Sequence, residues 1–203
     1  YTMILSSSLF PTGLTLLIII FIYVTIYLSN KTKKMREMLG IDPLTELSNR
    51  RKIFELAQSE IGHINHLGGA LSTIAIDIDN FKEINDKYGH QYGDTVLQQV
   101  SHCLKNTIRK TDHVGRIGGE EFMIVLPNTN KDSAIDVAEK LRQAIAALTF
   151  DNKKATGVTV SASFGVSENW DENTDFHELL AHADAALYVS KQEGRNQVTA
   201  YEG

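Results

Sequence analysis

At 203 residues, with one cysteine and three prolines, the chain has room for one ordinary domain and a short appendage. A single cysteine, Cys103, offers no internal disulfide and fits a reducing compartment. Net charge is −5, but residues 1–41 hold four basic side chains and one acidic, so the remainder carries −8. A domain that acidic is a poor grip for nucleic-acid phosphates, and no nucleic-acid partner is expected. Phosphate binding would have to run through metal ions and a few placed cations.

Residues 1–30 carry no charged side chain, and residues 9–28 are almost wholly apolar. Twenty such residues in a helix span roughly 30 Å, the thickness of a bilayer's hydrocarbon core. A cleaved signal peptide would show a basic start and a small-residue cleavage site, and neither is present. A core helix would rarely be apolar on every side. The segment therefore reads as a transmembrane helix. Lys31, Lys33, Lys34 and Arg36 follow at once, which places the C-terminal side in the cytoplasm. Opening on Tyr1 rather than methionine points to a piece whose upstream part is missing. Residues 31–41 form a short helix-prone connector, and residues 42–203, free of repeats and low-complexity tracts, read as one domain.

Within that domain the pattern alternates helix and strand. Helices are expected at 48–66, 81–88, about 94–109, 133–148 and 176–192. Strands are expected at 71–79, 158–166 and 197–201, with a hairpin around Gly118-Gly119. In LSTIAIDID, Ile74, Ile76 and Ile78 share one face while Ala75, Asp77 and Asp79 share the other. GVTVSASFGVS alternates likewise, with Val158, Val160, Ala162, Phe164 and Val166 opposite Thr159, Ser161, Ser163 and Gly165. Helices over the apolar face would leave a sheet with one polar side, and chemistry could sit there.

RIGGEEFMIVL, residues 116–126, poses the sharpest question. Gly118-Gly119 fits a two-residue hairpin turn, whose positive φ only glycine adopts cheaply. Phe122, Ile124 and Leu126 then alternate along a strand, with Met123 and Val125 on its other face. Glu120 and Glu121 repel each other beside the turn unless they lie in solvent or share a cation. If this hairpin pairs beside residues 71–79, Glu120 and Asp77 converge into a hard-oxygen site of the kind Mg²⁺ uses. Two solvated acids at strand ends remain the alternative.

DIDNFKEINDKYGHQYGDTVL (residues 77–97) followed by RIGGEEF resembles the GGDEF family of bacterial diguanylate cyclases. DPLTELSNR (42–50) resembles that domain's opening signature and KQEGRN (191–196) its close, so the similarity covers essentially the whole soluble part. Two departures stand out. Glu46 occupies a position usually held by glycine, and Glu120 replaces aspartate in the third signature position. The second is compatible with activity in this family, because either side chain offers a carboxylate to a metal.

The resemblance implies an α/β fold, a central, mostly antiparallel sheet flanked by helices, akin to the palm of nucleotide cyclases and polymerases. It implies condensation of two GTP into cyclic di-GMP and two pyrophosphates by a homodimer, each domain holding one GTP. Asp77, the Ile78 carbonyl and Glu120 would hold two Mg²⁺ or Mn²⁺ ions per active site, with Glu121 in the site but without a specific task. Asn85 and Asp94 would read guanine, although Asp94 could equally be a helix N-cap. Lys82, Lys191 and Arg195 would meet the triphosphate, with the backbone at Asn80, Phe81, Gly118 and Gly119. Lys191 and Arg195 could also be favourable charges at a helix C-terminus near Gly194. Arg109 and Asp112 stand in the register of the family's inhibitory product site, where a solvated helix end is the plainer alternative. His63 and His66, an i,i+3 pair, read as surface histidines. Taken together, the expectation is a cyclase anchored in a bacterial inner membrane with its domain in the cytoplasm. A catalytically silent module that binds GTP or cyclic di-GMP and signals by contact is the alternative.

Overall fold

The computed structural model describes residues 6–152, 155–169 and 174–202. Residues 1–5 of the expected anchor, the side chains of Lys33 and Arg36, and Gly203 lie outside the described residues. Helix α1 (Ser6–Met38) continues without a break from the apolar stretch through the expected connector. Its segment Gly13–Thr32 has mean hydropathy 2.0 and none of it is buried. The hydroxyls of Thr25 and Thr32 donate to the carbonyls of Phe21 and Leu28, each at 2.8 Å, so both are satisfied inside the helix. By length and composition this helix can cross a membrane.

The second unit runs from Gly40 to Gly203. Strands β1 (Ser48–Asn49), β2 (Leu71–Ile78), β3 (His113–Arg116), β4 (Glu121–Pro127), β7 (Ala162–Glu168) and β8 (Val198–Ala200) make one sheet in the order β1-β3-β4-β2-β7-β8. Pairings β3–β4, β4–β2 and β2–β7 are antiparallel, whereas β1–β3 and β7–β8 are parallel. This is the expected helix-flanked, mostly antiparallel sheet. The flanking helices are α2 (Arg50–Leu67), α3 (Phe81–Tyr88), α4 (His90–Thr107), α5 (Lys131–Ala146) and α6 (Phe176–Gln192).

The expected polar face of the sheet does not exist. Ile74, Ile76, Phe122, Ile124 and Phe164 pack with Val96, Leu104, Ala138 and Leu141 of α4 and α5 on one side. On the other, Met123 and Val125 pack with Ile53, Ala57, Ile61 and Ile64 of α2 and with Leu179 of α6. The small residues read as polar positions are there because α6 lies against them. A Cβ added to Gly165 would strike the backbone of Ala183 and Leu187, and Ala75 clusters with the same two residues. Polar groups caught beneath the helix are satisfied locally, as where the Ser167 hydroxyl donates to the Leu179 carbonyl at 2.7 Å.

Several boundaries also move, among them three that bear on the site. The strand expected over 158–166 is two elements, because β6 (Ala155–Val158) pairs instead with β5 (Phe150–Asn152) in a separate hairpin. Helix α2 starts at Arg50, with the Asn49 side chain accepting from the Lys52 N–H as N-cap. Helix α4 starts at His90 behind Gly89, so Asp94 lies inside it and is not its N-cap.

Candidate active site

Strand β2 is central and ends where its neighbours bring acids to it. Asp77 stands opposite Glu121 in β4 and opposite Ser163 in β7. The Ile78 N–H donates to the Glu120 carbonyl at 3.3 Å, which holds the loop residue Glu120 beside the strand end. Lys191, in the last turn of α6, reaches across to place Nζ 2.8 Å from Asp77 Oδ2. Lys191 thus stands in the last turn of α6, as a helix-end charge would, and also pairs with Asp77. Burial pushes the Asp77 carboxyl up from its ordinary value, Lys191 pulls it back, and Glu120 and Glu121 add repulsion. Its carboxyl remains raised despite a lysine in contact.

A cavity of about 290 Å³ opens beside this pair, lined by Arg50, Phe54, Glu121, Asp184, Tyr188 and Lys191 among others. Asp184 is likewise raised, by desolvation first and then by Glu121, with Arg50 and Lys191 opposing. Sequence reasoning missed Arg50 and Asp184. Asp184 lies seven residues before Lys191 on α6, and that two-turn spacing was the signal available.

The GGEE loop is not the expected two-residue turn, for neither Gly118 nor Gly119 has positive φ. The Ile117 and Gly118 N–H groups both donate to the Glu121 carbonyl, at 2.9 and 3.3 Å. Arg116 shapes the rest. Its Nε lies 3.1 Å from the Gly118 and Gly119 carbonyls, an Nη donates to Gly119 at 2.7 Å, and the other Nη meets Asp42 Oδ1 at 3.2 Å. A Cβ on Gly118 would meet the Glu121 carboxylate and oblige that exposed side chain to turn aside. Asp42, in turn, accepts from the Thr45 N–H and hydroxyl at 2.9 and 2.6 Å. The opening signature thus braces the loop that carries Glu120 and Glu121.

Asp79, read as a second carboxylate of the polar face, is instead consumed in bonding. It accepts from the Ser161 and Ser163 hydroxyls at 2.7 and 2.6 Å and from the Asn196 N–H at 3.0 Å. Those bonds fasten the loop after α6, where Arg195 (φ 65°) and Asn196 (φ 47°) are left-handed and the Arg195 side chain is exposed. Asn80 is left-handed too (φ 52°), and its side chain makes no capping bond at the start of α3, where Phe81 is buried and Lys82 exposed. Farther along, the Asn85 amide lies so close to Gly93 that a Cβ there would strike it, and Asp94 is the next residue, exposed on α4.

Arg109 and Asp112 form a separate feature. The Asp112 carboxylate accepts from the Arg109 N–H at 2.8 Å, and the Asp112 N–H returns a bond to the Arg109 carbonyl at 3.1 Å. They line a pocket of about 330 Å³ with Glu46, Lys105, Lys110 and His113. His63 and His66 are exposed on α2, and among the described residues no group of three or more His, Cys, Asp or Glu is arranged to hold a metal.

The residues nonetheless fit a divalent ion completed by a ligand. The buried Asp77 carboxyl feels the negative charge of Glu120 and Glu121, and one lysine leaves it still raised. Hard cations use such partial oxygen sets when substrate phosphates supply the remaining ligands.

A sequence profile described as diguanylate cyclase, GGDEF domain, matches residues 39–197. Diguanylate cyclase DosC of Escherichia coli K12 is 36% identical over 167 residues, 82% of this chain, and the chain spans about a third (36%) of that relative's length. The crystal structure of the GGDEF domain of DgcB from Caulobacter crescentus in complex with c-di-GMP matches with TM-score 0.77 at 30% identity, covering 81% of this chain and 96% of that one. The active GGEEF domain of a diguanylate cyclase from Vibrio cholerae matches with TM-score 0.72 at 37% identity, covering 77% and 99%. A family profile over residues 39–197, with a relative 36% identical over most of the chain, settles the kinship: this chain belongs to the GGDEF domain family.

Proposed function

We propose that the domain is an active diguanylate cyclase that joins two GTP molecules into cyclic di-GMP and releases two pyrophosphates. The observation that carries this reading is the Asp77–Lys191 pair at 2.8 Å, set among Glu120 and Glu121 at the end of β2. Asp77, the Ile78 carbonyl and Glu120 would hold two Mg²⁺ or Mn²⁺ ions, which supply charge neutralisation at the reacting phosphate and acidify the attacking 3′-hydroxyl. Lys191 is 36% exposed and can turn to a triphosphate once Asp77 has another cationic partner. Arg195, Lys82 and the backbone N–H groups near Asn80 and Phe81 bind the remaining phosphate oxygens. Arg116 keeps Gly118 and Gly119 in place, so the loop needs little reorganisation when nucleotide arrives.

One domain offers one such site, while the product contains two nucleotides. The competent species is therefore a homodimer with facing sites, the 3′-hydroxyl of each GTP attacking the α-phosphate of the other. Incubation with GTP and Mg²⁺, with products resolved by mass, tests the reading. Cyclic di-GMP supports it, whereas unchanged GTP favours the silent module.

Base choice falls to Asn85 and Asp94. Asp94→Ala removes an acceptor for guanine's N1–H and amine, and is expected to cost about 1–3 kcal/mol of GTP binding. Competition by ATP should strengthen in the variant. Unchanged nucleotide preference would show that Asp94 is merely an exposed residue of α4.

Helix α1 anchors the protein in a bacterial inner membrane, with the basic residues after it and the domain in the cytoplasm. The exposed and largely apolar stretch Gly13–Thr32, of mean hydropathy 2.0, supports this. The full chain should stay with membranes through carbonate and high-salt washes, and release by either would sink the anchor. Cyclic di-GMP binds back at Arg109 and Asp112, away from the active-site acids, and inhibits without competing with GTP.

A further inference from the structure

Gly194, Arg195 and Asn196 follow α6 with three consecutive positive φ values, 119°, 65° and 47°. Only the first is glycine. An arginine is strained in that region, and such a conformation persists only where its surroundings hold it. Asn196 is fixed at both ends of its backbone. Its N–H donates to Asp79 Oδ2 at 3.0 Å, and the preceding N–H, of Arg195, donates to the Ser190 carbonyl at 2.9 Å. Its carbonyl and side-chain oxygen accept from one Nη of Arg142, on α5, at 3.3 and 2.9 Å. Arg142 is itself held, giving Nε and the other Nη to the two oxygens of Glu139 at 2.8 and 2.6 Å. A planar guanidinium serves both partners at once, which the single ammonium of a lysine cannot do. Hydrogen bonding from Arg142 holds the Glu139 carboxyl down to about 2, so the pair stays charged at neutral pH. Glu139, three residues before Arg142 on α5, thereby keeps the guanidinium turned to the loop.

We propose that Arg142 is a positioning residue for GTP binding: through Asn196 it keeps Arg195 in the backbone conformation from which its guanidinium meets the triphosphate. The inference rests on the reading of Arg195 as a triphosphate contact, and Arg142 itself touches no nucleotide. A guanidinium lies several bonds from its Cα, so a change of φ at Arg195 sweeps the charged end far from an anion held by other groups. Without Arg142 the loop is free to relax toward the ordinary negative-φ regions, and the exposed Arg195 side chain ranges over solvent. Binding must then restore an order that Arg142 supplies in advance.

Titration of the full chain in detergent with a non-hydrolysable GTP analogue and Mg²⁺ tests this as a double-mutant cycle on Arg142 and Arg195. Arg142→Met, which keeps an aliphatic stem, is expected to weaken binding roughly three- to tenfold in the otherwise native chain. In an Arg195→Ala background the same substitution should change affinity by less than about twofold. Any loss of melting temperature from Arg142→Met should be alike in the two backgrounds, which separates positioning from a merely structural role. Asn196→Gly retains the left-handed backbone and removes the Oδ1 acceptor, and it carries the same cycle if Arg142→Met does not fold. Equal losses of affinity in both backgrounds, or no loss in either, overturn the proposal while Arg195 keeps its role. If Arg195→Ala alone binds the analogue as tightly as wild type, the reading of Arg195 fails and the proposal falls with it.

Discussion

Asp77→Asn is expected to reduce cyclic di-GMP formation by about 10²- to 10³-fold or more, while the fold survives. The substitution keeps the side chain's shape and removes the charge that the site needs against a divalent ion and Lys191. Stability should move the other way. The folded pKa of Asp77 is raised, chiefly by burial and further by Glu120 and Glu121. An ionised carboxyl with a raised pKa costs the fold stability above that pKa, and the cost is relieved as pH falls through it. Without metal, the Asn variant should therefore melt at or above wild type at neutral pH. The difference should shrink as the pH is lowered into the carboxylate range. Lys191 loses its partner in this variant, but at 36% exposure it can be hydrated. Adding Mg²⁺ with GTP should raise the melting temperature of wild type and leave that of the variant nearly unchanged. Turnover near wild type would remove Asp77 from the catalytic set.

Gly165→Val is expected to have the largest effect on stability, about 3 kcal/mol or more. A side chain at this position meets backbone atoms of Ala183 and Leu187, which cannot rotate aside as a flexible side chain could. Helix α6 would have to lift from the sheet or shift along it. Either motion carries Lys191 away from Asp77 and loosens the cavity it shares with Asp184. A denaturation midpoint and a product assay should fall together. Wild-type values for both would mean that α6 does not lie on β7 in the way described.

Much of the architecture was readable from alternation and signature. The short helix over residues 81–88, the strand that delivers Asp77 and the final helix are where the pattern puts them. What failed had common physical causes. Gly165, Ala75 and the serines of β7 look polar or indifferent in one dimension, yet small residues are what close helix–sheet contact requires. The turn at Gly118-Gly119 was misread because its shape is imposed from elsewhere in the chain. Arg116 ties it to Asp42, 74 residues away, and Gly118 lies against the Glu121 side chain. Asp79 was counted among the acids of a polar face, and its hydroxyl partners at Ser161 and Ser163 become visible only once β7 is paired with β2. The departure at Glu46 was legible as a letter out of place. Its φ of 58° and its position on a pocket rim were not, because both depend on the turn that Asp42 closes.

The strand order carries a consequence for how the molecule comes into being. β2 is made early, but its two neighbours, β4 and β7, follow it by roughly fifty and ninety residues, and Lys191 arrives later still. Contacts this distant must be closed against chain entropy before they contribute anything, which makes folding slow relative to helical domains of similar size. A chain emerging from the ribosome therefore holds Asp77 unsheltered until α6 has cleared the exit. The Asp77–Lys191 contact is thus among the last in the domain to become available.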